Sequence, residues 1–194
     1  MIDISPGMIA KAKEVGKYHG VHLEGYAAAG ERLPVGDGEF DIVYLANVIH
    51  HVTNRPVLME EIRRALKPGG RFFSFDPVAY NPVINVYRRM AMEVRTEDES
   101  PLRLADLALM KKYFVDLEYR MFWVAALALF LKYYLLDRVS PNSDRYWKRI
   151  LKESDSSLRW WKPLVAIDSI LTRLPLVRWM AWNIVVSGRK PDAS

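Results

Sequence analysis

The sequence has no cysteine, no apolar run long enough to cross a bilayer, and no cluster of glycines. Zero cysteine excludes disulfides and thiolate metal sites, and it fits a reducing compartment. The longest apolar run, Met121 to Leu131, has 11 residues. A membrane span needs about 20, so this run does not span. The ten glycines are scattered, and a glycine-rich loop of the kind that lets backbone approach a nucleotide is absent. The N-terminus is neither basic nor followed by a long apolar stretch, so a signal peptide is not expected. A cytoplasmic protein, with membrane-peripheral contact as the open alternative, is the expectation.

What is present belongs to a folded chain. Of 194 residues, 51% are hydrophobic and 26% charged, which suits one domain with a full core. The net charge of +5 is uneven: residues 1–76 carry −1 and residues 77–194 carry +6. All six tryptophans lie in the second part. A basic, Trp-rich region can face an anionic membrane or an acidic substrate, and a solvated basic surface over an aromatic core is the simpler reading. Aromatics near basic residues also suit base stacking, but no RNA-binding motif accompanies them and no nucleic-acid partner is expected.

Hydrophobic periodicity alternates between strand and helix up to residue 76. Ser5 to Lys17 reads as a helix with Ser5 at the cap and Pro6 in the first turn. Val21 to Ala29 is strand-like. Glu39 to Ala46 is a nearly continuous apolar strand, as expected where both faces of a parallel sheet are covered. Pro56 to Leu66 is a helix stopped by Lys67-Pro68-Gly69-Gly70, and Arg71 to Asp76 is the next strand. This order predicts an α/β fold with a doubly wound, mostly parallel sheet. Further on, the pattern predicts helices over 102–112, 125–137, 144–152 and 163–174, and strands over 114–123 and 182–190. On the helix from Pro163, Leu164, Ile167, Leu171 and Leu174 share a face opposite Asp168, Thr172 and Arg173. Both a helix packed on the domain and an interfacial helix would read this way.

The first residues carry the sharpest signal. Ile2-Asp3-Ile4 is the end of a strand with an acidic residue, followed at once by a capped helix. An acidic residue at the carboxyl end of a strand can accept both hydroxyls of a ribose. Half of a nucleotide site is therefore present at the start of the chain.

Four blocks then resemble the class I S-adenosylmethionine-dependent methyltransferases. They are Ile2-Asp3-Ile4-Ser5-Pro6-Gly7-Met8-Ile9; Gly30-Glu31-Arg32-Leu33-Pro34-Val35 with Gly38-Glu39-Phe40-Asp41-Ile42-Val43; Asn47-Val48-Ile49-His50-His51-Val52; and Arg63-Arg64-Ala65-Leu66-Lys67-Pro68-Gly69-Gly70. The resemblance covers residues 1–76 well and the closing strand, 182–190, moderately. It implies an α/β core over 1–76, an acceptor-binding helical lid over 77–181, and a last strand with a tail over 182–194.

The resemblance also implies roles. Asp3 would hold the ribose hydroxyls of S-adenosylmethionine, and Ile4 and Gly30 would frame its adenine. The family's adenine-binding Asp falls on Ala29, where the side-chain contact is lost; Glu31 is the nearest substitute. Ala46 and Asn47 would line the methionine end. His51 matches the position of a catalytic base in similar phosphoethanolamine methyltransferases, although a histidine here can equally shape the loop and cap the next helix. Asp76, at a strand end, either touches the acceptor or caps the turn before Pro77. No metal site is expected, since adjacent His50 and His51 on a strand end point in different directions. Glu60 and Glu61 read as a solvated helix face.

Against the family pattern, the first strand and its glycine-rich loop are missing. That strand is central, so two strands would be left with unpaired edges. A fragment, or a core completed by a partner chain, is the expectation. The activity implied is methyl transfer to a small-molecule or lipid-like acceptor. The rival reading is a non-catalytic accessory or remnant of the fold that binds a partner along its open edge. A nicotinamide-dependent dehydrogenase shares the ribose acid but does not explain the Leu-Pro-to-His-His spacing.

Overall fold

Ser5 starts the first helix as the sequence requires: its hydroxyl accepts from the Met8 N–H, and Pro6 occupies the first turn. In the computed structural model this helix, α1 (Pro6–Tyr18), follows a two-residue strand, β1 (Ile2–Asp3). The structure describes residues 1–91, 93, 99–146, 148–149 and 154–192, with backbone alone for 126 and 154–160. The strand predicted over Val21 to Ala29 contracts to β2 (Tyr26–Ala27), which pairs in parallel with β1.

A second sheet holds the core. Its strands are β3 (Phe40–Ala46), β4 (Leu66–Pro77), β5 (Val115–Phe122) and β6 (Asn183–Arg189), in the order β3-β4-β6-β5. β3 and β4 run parallel, while β6 is antiparallel to both of its neighbours. The sheet is therefore mixed, with the closing strand inserted between β4 and β5. Helix α2 (Arg55–Ala65), capped by Asn54, contributes buried Leu58, Met59 and Ile62 to the main core with Phe72 of β4 and Leu107 and Met110 of α4 (Leu104–Tyr113). α2 ends at Ala65, and the Lys67-Pro68-Gly69-Gly70 turn becomes a bulge inside β4, whose register against β3 jumps there. Gly70 is required by space: a Cβ would lie 2.9 Å from the Lys67 carbonyl oxygen and 3.1 Å from that of Asp41.

Among the described residues no ladder joins β1 to β3, so each has an unpaired edge. β3 also departs from expectation. Its Val43 and Leu45 turn to the core, but Ile42 is 62% exposed and Tyr44 66%. The continuous apolar run predicted two covered faces, and only one is covered.

The helical region differs more from the sequence reading. Asn81 caps an unforeseen helix, α3 (Pro82–Met90), by accepting from the Val83 and Ile84 N–H groups. The helix predicted over 125–137 breaks into a 3-10 turn (Ala125–Leu127), a short α5 (Ala128–Leu131) and a π segment (Lys132–Leu136). Of the helix predicted over 144–152, Tyr146, Lys148 and Arg149 are helical, and residues 147 and 150–152 lie outside the described residues. The helix α6 (Ser154–Leu171) begins well before Pro163, which sits inside it. The predicted apolar face is split, since Leu164 packs on the second core and Leu171 is half-buried, and the predicted polar face gives up its carboxylate to the interior. Asp168 is 5% exposed and accepts from the Val124 and Ala125 N–H groups at 2.7 and 2.5 Å, whereas Ile167 and Leu174 face solvent. A second core of Ile84, Leu127, Phe130, Tyr133 and Tyr146 organises this part of the chain. Among the described residues no helix is long and apolar enough to cross a membrane.

Candidate active site

Asp3 closes β1, and its Oδ1 accepts the Ser5 N–H at 2.8 Å. This fixes the carboxylate at the start of α1, where the helix N-terminus favours negative charge. No described contact engages Oδ2. Beside it, Ile4 is 78% exposed. An exposed branched side chain next to a held carboxylate is a ready surface for a nucleoside: the acid for ribose hydroxyls, the isoleucine for an apolar ring face.

The loop after β2 is held by α2. Gly30 lies so close that a Cβ would sit 2.9 Å from Leu58 Cδ1. Glu61 accepts the Leu33 N–H at 2.8 Å, and Arg64 donates to the Leu33 and Val35 carbonyls and to Asp37. Glu61 and Arg64 also pair with each other at 2.8 Å. The hydrogen-bonded Arg64 guanidinium holds the Glu61 carboxyl below its usual value. Glu61 is thus a clamp on this loop, not part of a solvated face; Glu60 is exposed, as expected. Ala29 is exposed, and Glu31 is half-buried beside Gly30.

At the carboxyl end of β3, Ala46 is exposed and Asn47 adopts a left-handed φ of 55°. Asparagine tolerates this region better than most residues. The Asn47 N–H donates to the Phe75 carbonyl at 2.7 Å, which anchors the turn to β4. The short 3-10 turn Ile49–His51 follows.

The two histidines separate in this turn. His50 is buried and its Nδ1 lies 2.8 Å from Asp76 Oδ1, which also receives the His50 N–H at 3.2 Å. His51 is exposed, with its ring 4.0 Å from that of His50. Asp76 is fully buried at the end of β4, and burial pushes its carboxyl up from the ordinary value of 3.8 despite the His50 contacts. Its Oδ2 has no partner among the described residues. Through Oδ1, Asp76 holds the histidine turn from below, and no described contact has it capping the turn before Pro77. The His50 carbonyl in turn accepts the Ser100 N–H at 2.7 Å, and Arg55 bonds the carbonyls of Ile49 and Ser100. Arg55 also pairs with Asp106 of α4 at 2.6 Å. The turn is tied both to the sheet and to the region after it.

The structure thus places Asp3, Ala46 and Asn47 at or just beyond the carboxyl ends of parallel strands, with Ile4 following Asp3. It shows Ala29, Gly30 and Glu31 in a loop bound to α2, and His51 at the outer side of the histidine pair. It adds the His50–Asp76 contact and the Glu61–Arg64 clamp, which sequence spacing did not single out. For the first, a signal existed: a buried-face Asp in a period-2 strand needs a donor, and the histidine pair was the nearest candidate. A further feature is an apolar cavity of about 250 Å³ between α3 and the α5–π segment, lined by Val83, Tyr87, Phe130, Leu131, Tyr134 and Tyr146, among others.

Comparison with known proteins follows the same division of the chain. Residues 1–74 match the family described as "Methyltransferase domain". The mitochondrial 2-methoxy-6-polyprenyl-1,4-benzoquinol methylase of Pongo abelii is 34% identical over 88 residues, covering 44% of this chain and 27% of that protein. The sterol 4-C-methyltransferase of Caenorhabditis elegans is 36% identical over 55 residues, 28% of this chain and 16% of that protein. The matches therefore span about a quarter or less of these relatives' length. In fold, the chain resembles a phosphoethanolamine N-methyltransferase 2 of Haemonchus contortus solved with phosphomonomethylethanolamine and S-adenosylhomocysteine. The TM-score is 0.59 at 20% identity, over 98% of this chain and 43% of that one.

Proposed function

We propose, from the premise that this chain belongs through its residues 1–74 to the class I S-adenosylmethionine-dependent methyltransferase family, that it supplies the nucleoside-binding and acceptor-facing parts of a methyltransferase for a small or lipid-like acceptor. The observation that carries this reading is the Asp3–Ile4 pair, a fixed carboxylate with a bare apolar side chain beside it.

The residues fit the cofactor in part. Asp3 would accept the ribose hydroxyls, Ile4 and Gly30 would border the adenine, and Ala46 and Asn47 would border the methionine end. Ala29 offers no side-chain acceptor, so the adenine amino group would depend on Glu31 or backbone. When bound, S-adenosylmethionine supplies an electrophilic methyl carbon on a sulfonium. This chain's residues then have two tasks. The Asn47 turn, locked to Phe75, and the Asp76-anchored His50 set the shape of the site at the strand ends. His51, on the exposed side of that pair, takes a proton from an acceptor hydroxyl or amine. The apolar cavity lined by Tyr87 and Phe130 supports an acceptor with a hydrocarbon portion.

Calorimetric titration with S-adenosylhomocysteine tests the proposal. The expected result is binding by this chain that weakens about tenfold or more in Asp3→Ala, because hydrogen bonds to a charged group are worth ~1.5–3 kcal/mol. A thermal melt of the variant checks that the loss of the Ser5 contact has not unfolded α1. Absence of any binding heat from the unaltered chain would sink the proposal for these residues.

A further inference from the structure

Along its described side chains, helix α6 leaves Val165, Ile167 and Ile170 exposed. Asp168, the only carboxylate between Trp161 and Trp182, is turned inward and consumed by the Val124 and Ala125 N–H groups. Leu164 packs toward the second core. What remains on the outside is Val165, Ile167 and Ile170, continued past the helix end by Leu174 and Leu176. Ile170 is 64% exposed and Leu176 86%. Single exposed apolar residues are ordinary, but Ile167, Ile170 and Leu174 follow one another at the three- and four-residue spacing of one helix side, and such a run is not.

Between Trp161 and Trp182 the exposed charges are of one sign. Lys162 and Arg173 are exposed there, and no acidic side chain is. The whole segment from residue 77 carries +6. An apolar strip with a cationic border and no exposed carboxylate complements an anionic lipid surface: acyl chains take the strip and headgroup phosphates take the cations. A second protein would have to offer the same combination of a greasy face and acidic rim, whereas an anionic bilayer offers both everywhere. No helix among the described residues is long and apolar enough to span a membrane, so contact would be at the surface.

We propose that the outward face of α6 and the turn that follows, Val165 to Leu176, docks this protein on anionic membrane surfaces. The inference is independent of the nucleoside site.

Co-sedimentation with vesicles tests it. The chain is expected to pellet with vesicles of phosphatidylcholine containing phosphatidylglycerol, and less with phosphatidylcholine alone, and to be released by salt. The Ile170→Asp/Leu174→Asp variant should lower the bound fraction roughly tenfold on the anionic vesicles. Because both side chains are exposed, its thermal melt should match that of the unaltered chain. Arg173→Glu, a milder change, should weaken binding to anionic vesicles only. Equal recovery with and without vesicles overturns the proposal, as does unchanged binding by the folded double variant. So does a concentration-dependent dimer that the double variant abolishes, since a second copy would then be the occupant.

Discussion

β4 and β3 are hydrogen-bonded neighbours, β3 the more apolar of the two, and they end in opposite environments. In β4, Phe72, Ser74 and Asp76 are fully buried, and the strand has ladder partners on both sides. In β3, only Val43 and Leu45 reach the core, and the strand has one partner. Phe40, Ile42 and Tyr44 stand exposed. An apolar strand is thus not buried by its own sequence. It is buried by what lies on its two edges and two faces, and β3 lacks a neighbour on one of each among the described residues.

The largest effect expected from this contrast is in the middle of β4. Phe72 packs against Phe114 with ring centroids 4.4 Å apart, and its ring lies within 2.6 Å of where a Gly188 Cβ would stand. There is little room for the surroundings to collapse into a vacancy. Phe72→Ala is expected to cost about 3–5 kcal/mol, read as a lower urea midpoint at an unchanged slope. If Phe72→Ala costs no more than a change at Ile42, the contrast between the strands fails.

A smaller effect is expected at the end of β4. Asp76 is buried with one oxygen unpartnered, and burial raises its carboxyl above 3.8. A raised acid favours the neutral form in the folded state. Its contribution is therefore complete below the unfolded value and is lost as pH climbs through the folded one. Asp76→Asn removes the titration while keeping an acceptor for the His50 N–H. Between pH 3 and pH 8 the Tm of the unaltered chain should fall relative to that of Asp76→Asn, by on the order of a few °C. Parallel Tm curves would show that Asp76 titrates as a solvated carboxyl does, and that the end of β4 is more open than its exposure indicates.

The same contrast shows what was legible in advance. The alternation of helix and strand up to residue 76 was, because its signals are local: Ser5 with Pro6, the apolar stripe from Pro56 to Leu66, and the strand pattern of Arg71 to Asp76. The Asp3 position was legible for the same reason. Openness of β3 was not, since a run such as Ile42-Val43-Tyr44-Leu45 carries no record of whether a neighbouring strand is present. The fate of Asp168 was also hidden. Helical periodicity assigns a carboxylate to the solvent side, but the N–H groups that claim it belong to Val124 and Ala125, more than forty residues away. His50 and His51 are indistinguishable by spacing, and only the placement of Asp76 on β4 separates the buried ring from the exposed one.

The smallest expected effect lies on the open face of β3. Ile42 is paired in register with Arg71 but has no core neighbour on its own side chain's face. Ile42→Thr keeps the β-branched backbone preference and removes apolar area that is already mostly in water. The expected change in stability is within about 0.5 kcal/mol, as for surface substitutions generally. Solubility should rise, because an exposed apolar strand with a free edge is a template for pairing between copies. The measurement is a urea titration together with light scattering on standing. A loss of stability approaching that of Phe72→Ala would mean that the Ile42 face is covered in solution. β3 would then resemble β4 in environment despite its different composition.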